Sequence, residues 1–255
     1  MDSTVASRST LSEAARRRIL AIRGEPMFEA RWDRAVFIHY EADPAVLQRD
    51  VPFALDLRDD RAFVSIVAFT LSRMRPRIGG RIGEWLFKPI ATHEFLNVRT
   101  YVSHHGEPGI YFLAEWLSNP LSVRLGPRTF GLPYRFGHLA YDHARDAGAV
   151  RGRVQAPQGC LAYEGEVSGS QFNTAEPESL TEFVLERYTA FTKRPMRARF
   201  FRVWHPPWEQ TLAEIEVARD TLLASTGHWW QTAECIGANY SPGAEVWMGR
   251  PHRTS

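Results

Sequence analysis

Residues 92–117 read THEFLNVRTYVSHHGEPGIYFLAEWL. Two runs rich in β-branched and aromatic side chains, 92–103 and 110–117, flank a short segment that contains Gly106 and Pro108. Two such runs around a glycine- and proline-containing turn are typical of a β-hairpin. The segment therefore predicts two neighbouring antiparallel strands, and the chain on either side of it follows the same pattern.

Strand-like runs recur from Trp32 to Met248 and outnumber the helical segments. Short turns join most of them, and strands and helices do not alternate as they would in a parallel α/β sheet. This organisation favours a mainly β, α+β fold, an antiparallel barrel or sandwich with a few short helices. The further predicted strands are 32–40, 54–57 and 62–71, the last two joined as a hairpin across Asp59 and Asp60, and 135–143, 151–155, 161–167, 198–204, 212–217 and 245–248.

Capping signals predict four helical segments. They are residues 10–22, which begin with the capping box Thr10 to Glu13; 45–48 after Asp43-Pro44; a helix after Asn119-Pro120 that Gly126-Pro127 should kink or end; and a helix from the capping box Ser179 to Glu182 as far as Phe191. No low-complexity linker divides the sequence. We therefore predict an N-terminal tail and helix, 1–25, and a single domain, 26–255.

Composition argues against several classes of function. The 31 basic and 29 acidic residues leave a net charge of +2, so the chain as a whole has no strong electrostatic attraction to nucleic acid. No apolar run reaches the ~18 residues of a membrane-spanning helix. Dinucleotide, phosphate-loop, zinc-protease and serine-hydrolase motifs are absent, and the two cysteines share no motif spacing. We therefore expect a cytoplasmic protein that binds a small organic ligand, with no metal, cofactor, nucleic-acid or membrane partner.

The basic residues are unusual in kind, because only two are lysines, Lys88 and Lys193. Chemistry through a lysine Schiff base therefore has two candidates. The arginines cluster in segment 73–81, RMRPRIGGR, where we predict a loop. Such a loop could be a lid over an anionic ligand, a nucleic-acid contact or a solvated surface.

The polar residues of strand 92–103 divide between its two faces. Alternation places Asn97 and Arg99 on one face and Glu94 on the other. If the first face lines a cavity, Arg99 is suited to hold a carboxylate; if the second does, Glu94 on an apolar wall would have a raised pKa and could transfer protons. An outer Arg99 paired across the hairpin with Glu115 is the third alternative.

Two later segments supply further candidates. Arg187 flanks the apolar stripe of the helix predicted after Ser179, and His205 ends a strand before two prolines, which could place it at the mouth of a barrel. Each has a structural alternative: a snorkelling arginine in the first case and a strand terminator in the second.

Several segments resemble the DUF2071, or YqjF-like, family. They are LNVRTYV at 96–102, NPL at 119–121, FGLPY at 130–134, LERY at 185–188 and HPPW at 205–208. The similarity extends from about Trp32 to Met248. The family is itself similar to acetoacetate decarboxylase, so the resemblance implies a closed antiparallel β-barrel with a central cavity, and it is compatible with a homo-oligomer.

The resemblance also bears on residue roles. Tyr134 stands where the decarboxylase has its Schiff-base lysine, Glu41 stands where it has a substrate-binding arginine, and Glu94 lies near the position of its central-strand glutamate. Decarboxylation through an imine is therefore not expected. We predict that Arg99 anchors an anion, that Glu94 is the catalytic base and that Tyr134 is the proton donor. The other ligand-binding candidates are Asn97, Glu115, Arg135, Arg187 and His205.

Three classes of function stay open at this point. The first is an acid–base enzyme of lyase or isomerase type that acts on a small carboxylate or carbonyl compound. The second is a non-catalytic ligand-binding protein. The third is a scaffold whose barrel is filled by Leu96, Val98 and Val102.

Overall fold

The computed structural model describes residues 10–143, 148–169, 171–194 and 197–254. The predicted tail, 1–9, lies outside them, and the division into tail and single domain stays a prediction. Fourteen strands and five α-helices lie in the described part of the chain. The strands are β1 Phe28–Ala42, β2 Ala54–Leu55, β3 Ala62–Pro76, β4 His93–His104, β5 Glu107–Leu117, β6 Tyr134–Phe136, β7 His138–Asp142, β8 Ala149–Ala156, β9 Gly159–Val167, β10 Thr189–Arg194, β11 Arg197–Trp204, β12 Thr211–Asp220, β13 Glu234–Met248 and β14 His252–Arg253. The helices are α1 Thr10–Leu20, α2 Pro44–Leu47, α3 Gly80–Phe87, α4 Pro120–Thr129 and α5 Leu180–Leu185.

The strands form one hydrogen-bonded sheet with the order β14-β11-β10-β5-β4-β3-β1-β13-β12-β9-β8-β7, while β2 pairs with β4 and β6 with β5. In addition β11 pairs with β13, where Val203 lies opposite Met248. Seven strands, β1, β3, β4, β5, β10, β11 and β13, therefore form a ring of paired strands. The prediction of a mostly-strand α+β fold is confirmed. The pairing is mainly antiparallel, as predicted, and the exceptions are at β5, which pairs in parallel with both β10 and β6.

Both faces of the ring are covered, because each carries its own hydrophobic cluster. On β4, Leu96 and Val98 pack on one side with apolar residues of β8 and β9, while Phe95 and Tyr101 pack on the other. A strand that is buried on both faces consists almost entirely of apolar residues, so the few polar residues in it are easily identified. The second side is the one that contains the cavity described below.

Two local predictions were wrong. The strand before Asp59 pairs with β4 and not with β3, so the hairpin reduces to a bridge between Arg58 and Arg61. Segment 73–81 is not a long loop, because β3 continues to Pro76 and α3 begins at Gly80. Helix α4 contains Pro127 and ends at Thr129, just before Phe130.

The helix predicted over 179–191 is also shorter than expected. Ser179 caps it as predicted, with its Oγ accepting from the amide of Glu182 at 3.1 Å, but α5 ends at Leu185. The chain then enters β10, where Ala190 and Phe191 pair in parallel with β5. Sheet pairing outweighs the helical spacing of the apolar residues there, so Arg187 lies in the connection between α5 and β10. None of the described helices is long and apolar enough to cross a membrane.

Candidate functional site

A cavity of about 350 Å³ lies in the ring of strands, and most of its wall is apolar. Rings line it from several strands, from α3 and from the residue that follows α4. The lining rings belong to Phe28, Trp32, Phe69, Phe87, Phe95, Phe112, Phe130, Tyr134 and Phe201. Six of the eight predicted site residues line it as well, namely Asn97, Arg99, Glu115, Tyr134, Arg187 and His205. Glu94 and Arg135 do not.

Strand β4 presents one face to the cavity. His93, Phe95, Asn97 and Arg99 all line it, which follows from the two-residue period of a strand. Glu94 belongs to the opposite face, where its carboxylate accepts from the Ser118 hydroxyl at 2.5 Å. The structure thus selects the alternative in which Arg99 and Asn97 line the cavity. It places Glu94 outside, which argues against its predicted role as base.

Arg99 is a buried cation whose charge is not paired. Its side chain is only 3% exposed, one terminal nitrogen donates to the Val184 carbonyl at 3.0 Å, and its Nε has no partner. Among the described residues no carboxylate forms an ion pair with it, so the predicted pairing with Glu115 does not occur. A guanidinium remains protonated in proteins, and an unpaired buried charge is costly. An anion in the cavity would remove that cost.

A chain of buried hydrogen bonds continues from the Val184 carbonyl to which Arg99 donates. The Val184 carbonyl also accepts from the Tyr101 hydroxyl at 2.9 Å. Tyr101 contacts the Ser65 hydroxyl, and Ser65 lies 2.7 Å from Nδ1 of His39. Burial and the nearby Arg99 charge lower the pKa of His39 to about 3. His39 is therefore neutral near pH 7 and adds no second charge behind Arg99.

Glu115 is the carboxyl group of the cavity. It lies opposite Asn97 across β4 and β5, and its Oε2 has no hydrogen-bond partner. Burial raises the pKa of Glu115 well above its ordinary value. The group therefore tends to hold its proton, in which state it can donate a hydrogen bond or a proton to a ligand.

Tyr134 reaches the same end of the cavity from β6. It pairs in parallel with Glu115, and its ring lies where a Cβ on Gly126 of α4 would be, at 2.1 Å. Glycine at position 126 is thus what allows the ring to enter. Burial, with the neighbouring Glu115, raises the pKa of the Tyr134 phenol, which keeps it a neutral hydrogen-bond donor.

Arg187 differs from Arg99 because its charge is compensated. One terminal nitrogen donates to Asp56 at 2.6 Å, and Nε donates to the Phe183 carbonyl at 2.7 Å. Its guanidinium lies over the Phe183 ring, 4.0 Å from the centroid. Arg187 therefore shapes the polar end of the cavity without adding net charge to it.

Two histidines also line the cavity. Nδ1 of His205 donates to the Pro206 carbonyl at 2.8 Å, and its ring stacks on Tyr188 with the centroids 4.7 Å apart. Both ring nitrogens of His93 are buried without a partner, and burial lowers the pKa of His93 to about 4. The sequence argument missed His93, although it lies on the Asn97 face, two residues before Phe95.

Arg135 and the two lysines lie outside the cavity. Arg135 follows Tyr134 on β6 and points the other way, with its guanidinium 5.3 Å from the centroid of the Trp116 ring. Lys88 and Lys193 are both exposed, and neither lines the cavity. The wall of this cavity, as far as the structure describes it, contains no amine that could form an imine with a carbonyl compound.

Comparison with known proteins agrees with this architecture. The solved structure of acetoacetate decarboxylase from Legionella pneumophila superposes with a TM-score of 0.62 at 12% identity, covering 89% of this chain and 87% of that one. The enduracididine biosynthesis enzyme MppR, solved with pyruvate, superposes with a TM-score of 0.61 at 14% identity, covering 90% and 91%. At such identities the likeness shows the fold alone.

Sequence comparison identifies the family. YqjF from Bacillus subtilis (strain 168), described as an uncharacterized protein, is 31% identical over 201 residues, which cover 77% of this chain and 80% of YqjF. The model of the family DUF2071, described as "Uncharacterized conserved protein", matches residues 29–245, which include all the polar cavity residues described above. The chain therefore belongs to the DUF2071 family.

Proposed function

We propose that this protein binds a small carboxylic acid with an apolar body in the cavity and catalyses proton transfer on it. The observation that carries the proposal is the buried guanidinium of Arg99, which faces an apolar cavity without a carboxylate partner among the described residues. We further propose that the ring of strands closes around this cavity as a barrel.

Charge balance supports a ligand with a single negative charge. Arg187 is neutralised by Asp56, and the raised pKa of Glu115 favours its neutral form. One positive charge, that of Arg99, is then left at the polar end. A carboxylate accepts two parallel hydrogen bonds from a guanidinium, which gives a charge-assisted contact of defined orientation.

Unpartnered polar atoms support a ligand with a second polar group near its carboxylate. Asn97 Oδ1, Arg99 Nε and Glu115 Oε2 are all buried without a hydrogen-bond partner, and all three residues line the cavity. Buried polar atoms are nearly always satisfied in proteins, so several orphans at one place indicate a missing partner. A 2-oxo acid provides partners for two of the three residues, with its carboxylate accepting from Arg99 and its carbonyl oxygen accepting from protonated Glu115 and from Tyr134.

The rest of the wall supports an apolar body. Nine rings line a cavity of about 350 Å³, a volume at the lower end of the roughly 300–1,000 Å³ range of ligand pockets. An aromatic or branched aliphatic group would fill this wall, whereas pyruvate alone would leave much of it uncovered.

Neutral Glu115 supplies the chemistry. Its carboxyl group can donate its proton to the carbonyl oxygen and accept at its second oxygen a proton from the adjacent carbon, which converts the keto form to the enol with no net change in protons. The Tyr134 hydroxyl can donate a hydrogen bond to the same carbonyl oxygen. No step uses a lysine, because both lysines are exposed.

A non-catalytic binding protein is the alternative. The observation that favours it is the tyrosine at position 134, where the resemblance to the decarboxylase would place a nucleophilic lysine. In that case the cavity, Arg99 and the apolar wall would hold a ligand that leaves unchanged.

Calorimetry with matched ligands tests binding. Phenylpyruvate should bind more tightly than pyruvate, and an uncharged amide should not bind. Arg99→Met should weaken phenylpyruvate about 10- to 100-fold, because hydrogen bonds to charged groups contribute about 1.5–3 kcal/mol. Arg135→Met is the control, because Arg135 lies outside the cavity. An amide that binds as tightly as its acid, or unchanged affinity in Arg99→Met, would overturn the anion site.

Proton exchange tests the chemistry. In D2O the enzyme should exchange the C3 hydrogens of a bound 2-oxo acid faster than buffer, as followed by NMR. Glu115→Gln should abolish that exchange and retain binding. Tight binding without exchange in the wild-type protein would favour the binding protein over the enzyme.

A further inference from the structure

The apolar stripe of α3 faces solvent. Ile82, Trp85 and Leu86 are 73%, 72% and 61% exposed, and Ile78, one turn earlier, is exposed too. Residues spaced by three and four share one side of a helix, and in a globular protein that side normally packs on the core. Here Gly83 is the residue that packs inward, so closely that a Cβ would lie 2.8 Å from the Pro76 ring.

Helix α4 extends this apolar surface. Leu121 and Leu125, four residues apart, are both exposed. The N-cap residue of α4, Asn119, donates through its amide nitrogen to the Pro89 carbonyl at 2.7 Å, in the turn that follows α3. The two helices are thus neighbours. We call the surface formed by Ile78, Ile82, Trp85, Leu86, Leu121 and Leu125 the α3–α4 face.

Basic side chains surround the α3–α4 face. Segments 73–88 and 120–129 contain seven arginines and lysines but one acidic residue, Glu84, which lies 3.6 Å from Arg75. The whole chain carries only +2, so the remainder of the molecule is net acidic and the positive charge is concentrated here. The basic residues are Arg73, Arg75, Arg77, Arg81, Lys88, Arg124 and Arg128.

We propose that the α3–α4 face docks on an anionic phospholipid membrane. Exposed apolar side chains that include a tryptophan, on segments rich in arginine, match the interface of such a bilayer, where apolar groups enter the acyl boundary and cations meet the headgroups. Face-to-face association of two copies is disfavoured, because it would bring together two surfaces of the same positive charge.

This proposal differs from the expectation of no membrane partner, which rested on the lack of a spanning run of apolar residues. A helix that lies in the interface needs no such run, because its backbone hydrogen bonds are internal and only one face is inserted. The eight residues of α3 are enough for a peripheral contact when the neighbouring α4 and the arginines add to it.

The docked face borders the cavity. Phe87 of α3, Ile90 of the following turn and Leu125 of α4 all line it, and Leu125 is also exposed. Docking would therefore place this wall of the cavity against the bilayer, from which an apolar acid could enter. This last step rests on the proposed function, whereas the docking does not.

Vesicle flotation of the full chain tests the docking. The chain should bind vesicles of phosphatidylcholine with about 30% phosphatidylglycerol, and binding should weaken strongly at about 0.5 M salt, where surface charges are screened within a few ångströms. Ile82→Ser with Trp85→Ser should reduce partitioning at least about tenfold. Arg81→Glu should reduce it as well. Leu212→Ser and Arg219→Glu are the matched controls, because both residues are exposed on β12.

Two results would overturn the proposal. One is equal binding of the wild type and the Ile82/Trp85 variant. The other is a stable dimer, seen by light scattering, that the Ile82/Trp85 substitutions dissociate while vesicles have no effect, because the occupant would then be a second copy. Ligand affinity measured without vesicles keeps the proposed function separate, since it should not change in the variant.

Discussion

Asn97 and Glu115 lie directly opposite each other on β4 and β5, and each has a buried side-chain oxygen without a hydrogen-bond partner. Burial raises the pKa of Glu115 and so favours its protonated form, which can donate a hydrogen bond that the ionised carboxylate cannot.

The first prediction concerns Glu115 and pH. Its pKa is raised in the folded chain, so the unfolded chain releases this proton first, and the contribution of Glu115 to wild-type stability falls as the pH rises above the unfolded value of about 4.5. Glu115→Gln removes this dependence. Relative to wild type, the variant should gain up to about 1.4 kcal/mol per pH unit until the folded pKa is passed.

Urea unfolding of both proteins between pH 4.5 and 7.5 measures this difference directly. The exposed Glu214 on β12 provides the control, and Glu214→Gln should follow the wild type closely. Parallel stability curves for wild type and Glu115→Gln would contradict a protonated Glu115 in the cavity.

The second prediction is sensitivity to acid. Burial lowers the pKa of His39 to about 3 and those of His93 and His143 to about 4, against about 6.5 in the unfolded chain. Below pH 6.5 the unfolded chain binds protons that the folded chain does not. The free energy of unfolding should therefore fall as the pH decreases from 6.5 toward 4, by up to about 1.4 kcal/mol per pH unit for each of the three histidines.

His39→Gln should reduce that slope by up to about 1.4 kcal/mol per pH unit, measured by urea unfolding at several pH values. His138, which is exposed on β7, is the control, and His138→Gln should leave the slope as it is. Equal slopes for the wild type and His39→Gln would show that the His39 ring takes up its proton as readily in the fold as in the unfolded chain.

Much of the site could be predicted from the sequence because β4 obeys the strand period. Once Arg99 and Asn97 are assigned to the cavity, alternation excludes Glu94 and includes His93. The residue opposite Arg99 could not be predicted, because the register of β4 and β5 shifts between Val98 and Arg99. That bulge places Phe112, and not Leu113, opposite Arg99, and so both Glu115 and Phe112 line the cavity.

The sequence predicts the wrong element where local helix preference and sheet pairing disagree. The helical spacing from Leu180 to Phe191 is real, but β10 needs Ala190 and Phe191 as partners for β5. Similarly, the capping box at Ser179 identifies where α5 begins and carries no information on its end. Pairing with β5 decides where α5 ends and where β10 begins. A single sequence does not show where in space the partner strand β5 lies.

The third prediction concerns Gly126, which makes room for Tyr134. A methyl group there would lie 2.1 Å from the Tyr134 ring, so Gly126→Ala must displace the ring or the helix. We expect a loss of about 1–3 kcal/mol in stability, as for other overpacked positions, and weaker binding of the carboxylic acid. Chemical unfolding and calorimetry measure the two effects.

The control for Gly126 is Gly169, where a Cβ would meet only the Thr211 hydroxyl at an ordinary 3.7 Å. Gly169→Ala should therefore affect neither stability beyond about 0.5 kcal/mol nor affinity. Equal behaviour of the two alanine variants would mean that the Tyr134 ring does not occupy the space beside α4.

The last prediction concerns the charge of the cavity. Asp56 is about one quarter exposed and holds the guanidinium of Arg187 at 2.6 Å, while the Arg187 side chain is almost fully buried. Asp56→Asn leaves that cation without its counter-charge. Breaking a fully buried pair costs about 3–5 kcal/mol, and partial exposure of Asp56 should reduce the loss to about 2–3 kcal/mol.

The same substitution should change which acids bind. With Asp56 ionised the polar end of the cavity carries one net positive charge; with asparagine it carries two, from Arg99 and Arg187. Dicarboxylates should then gain affinity relative to monocarboxylates, and saturating dicarboxylate should restore part of the lost stability, because a ligand that binds only the folded state stabilises it. Glu41→Gln, which breaks the exposed pair with Arg61, should do neither. If Asp56→Asn lowered affinity for both classes equally, Arg187 would have no electrostatic contact with the ligand, and Arg99 alone would set the charge that the cavity selects.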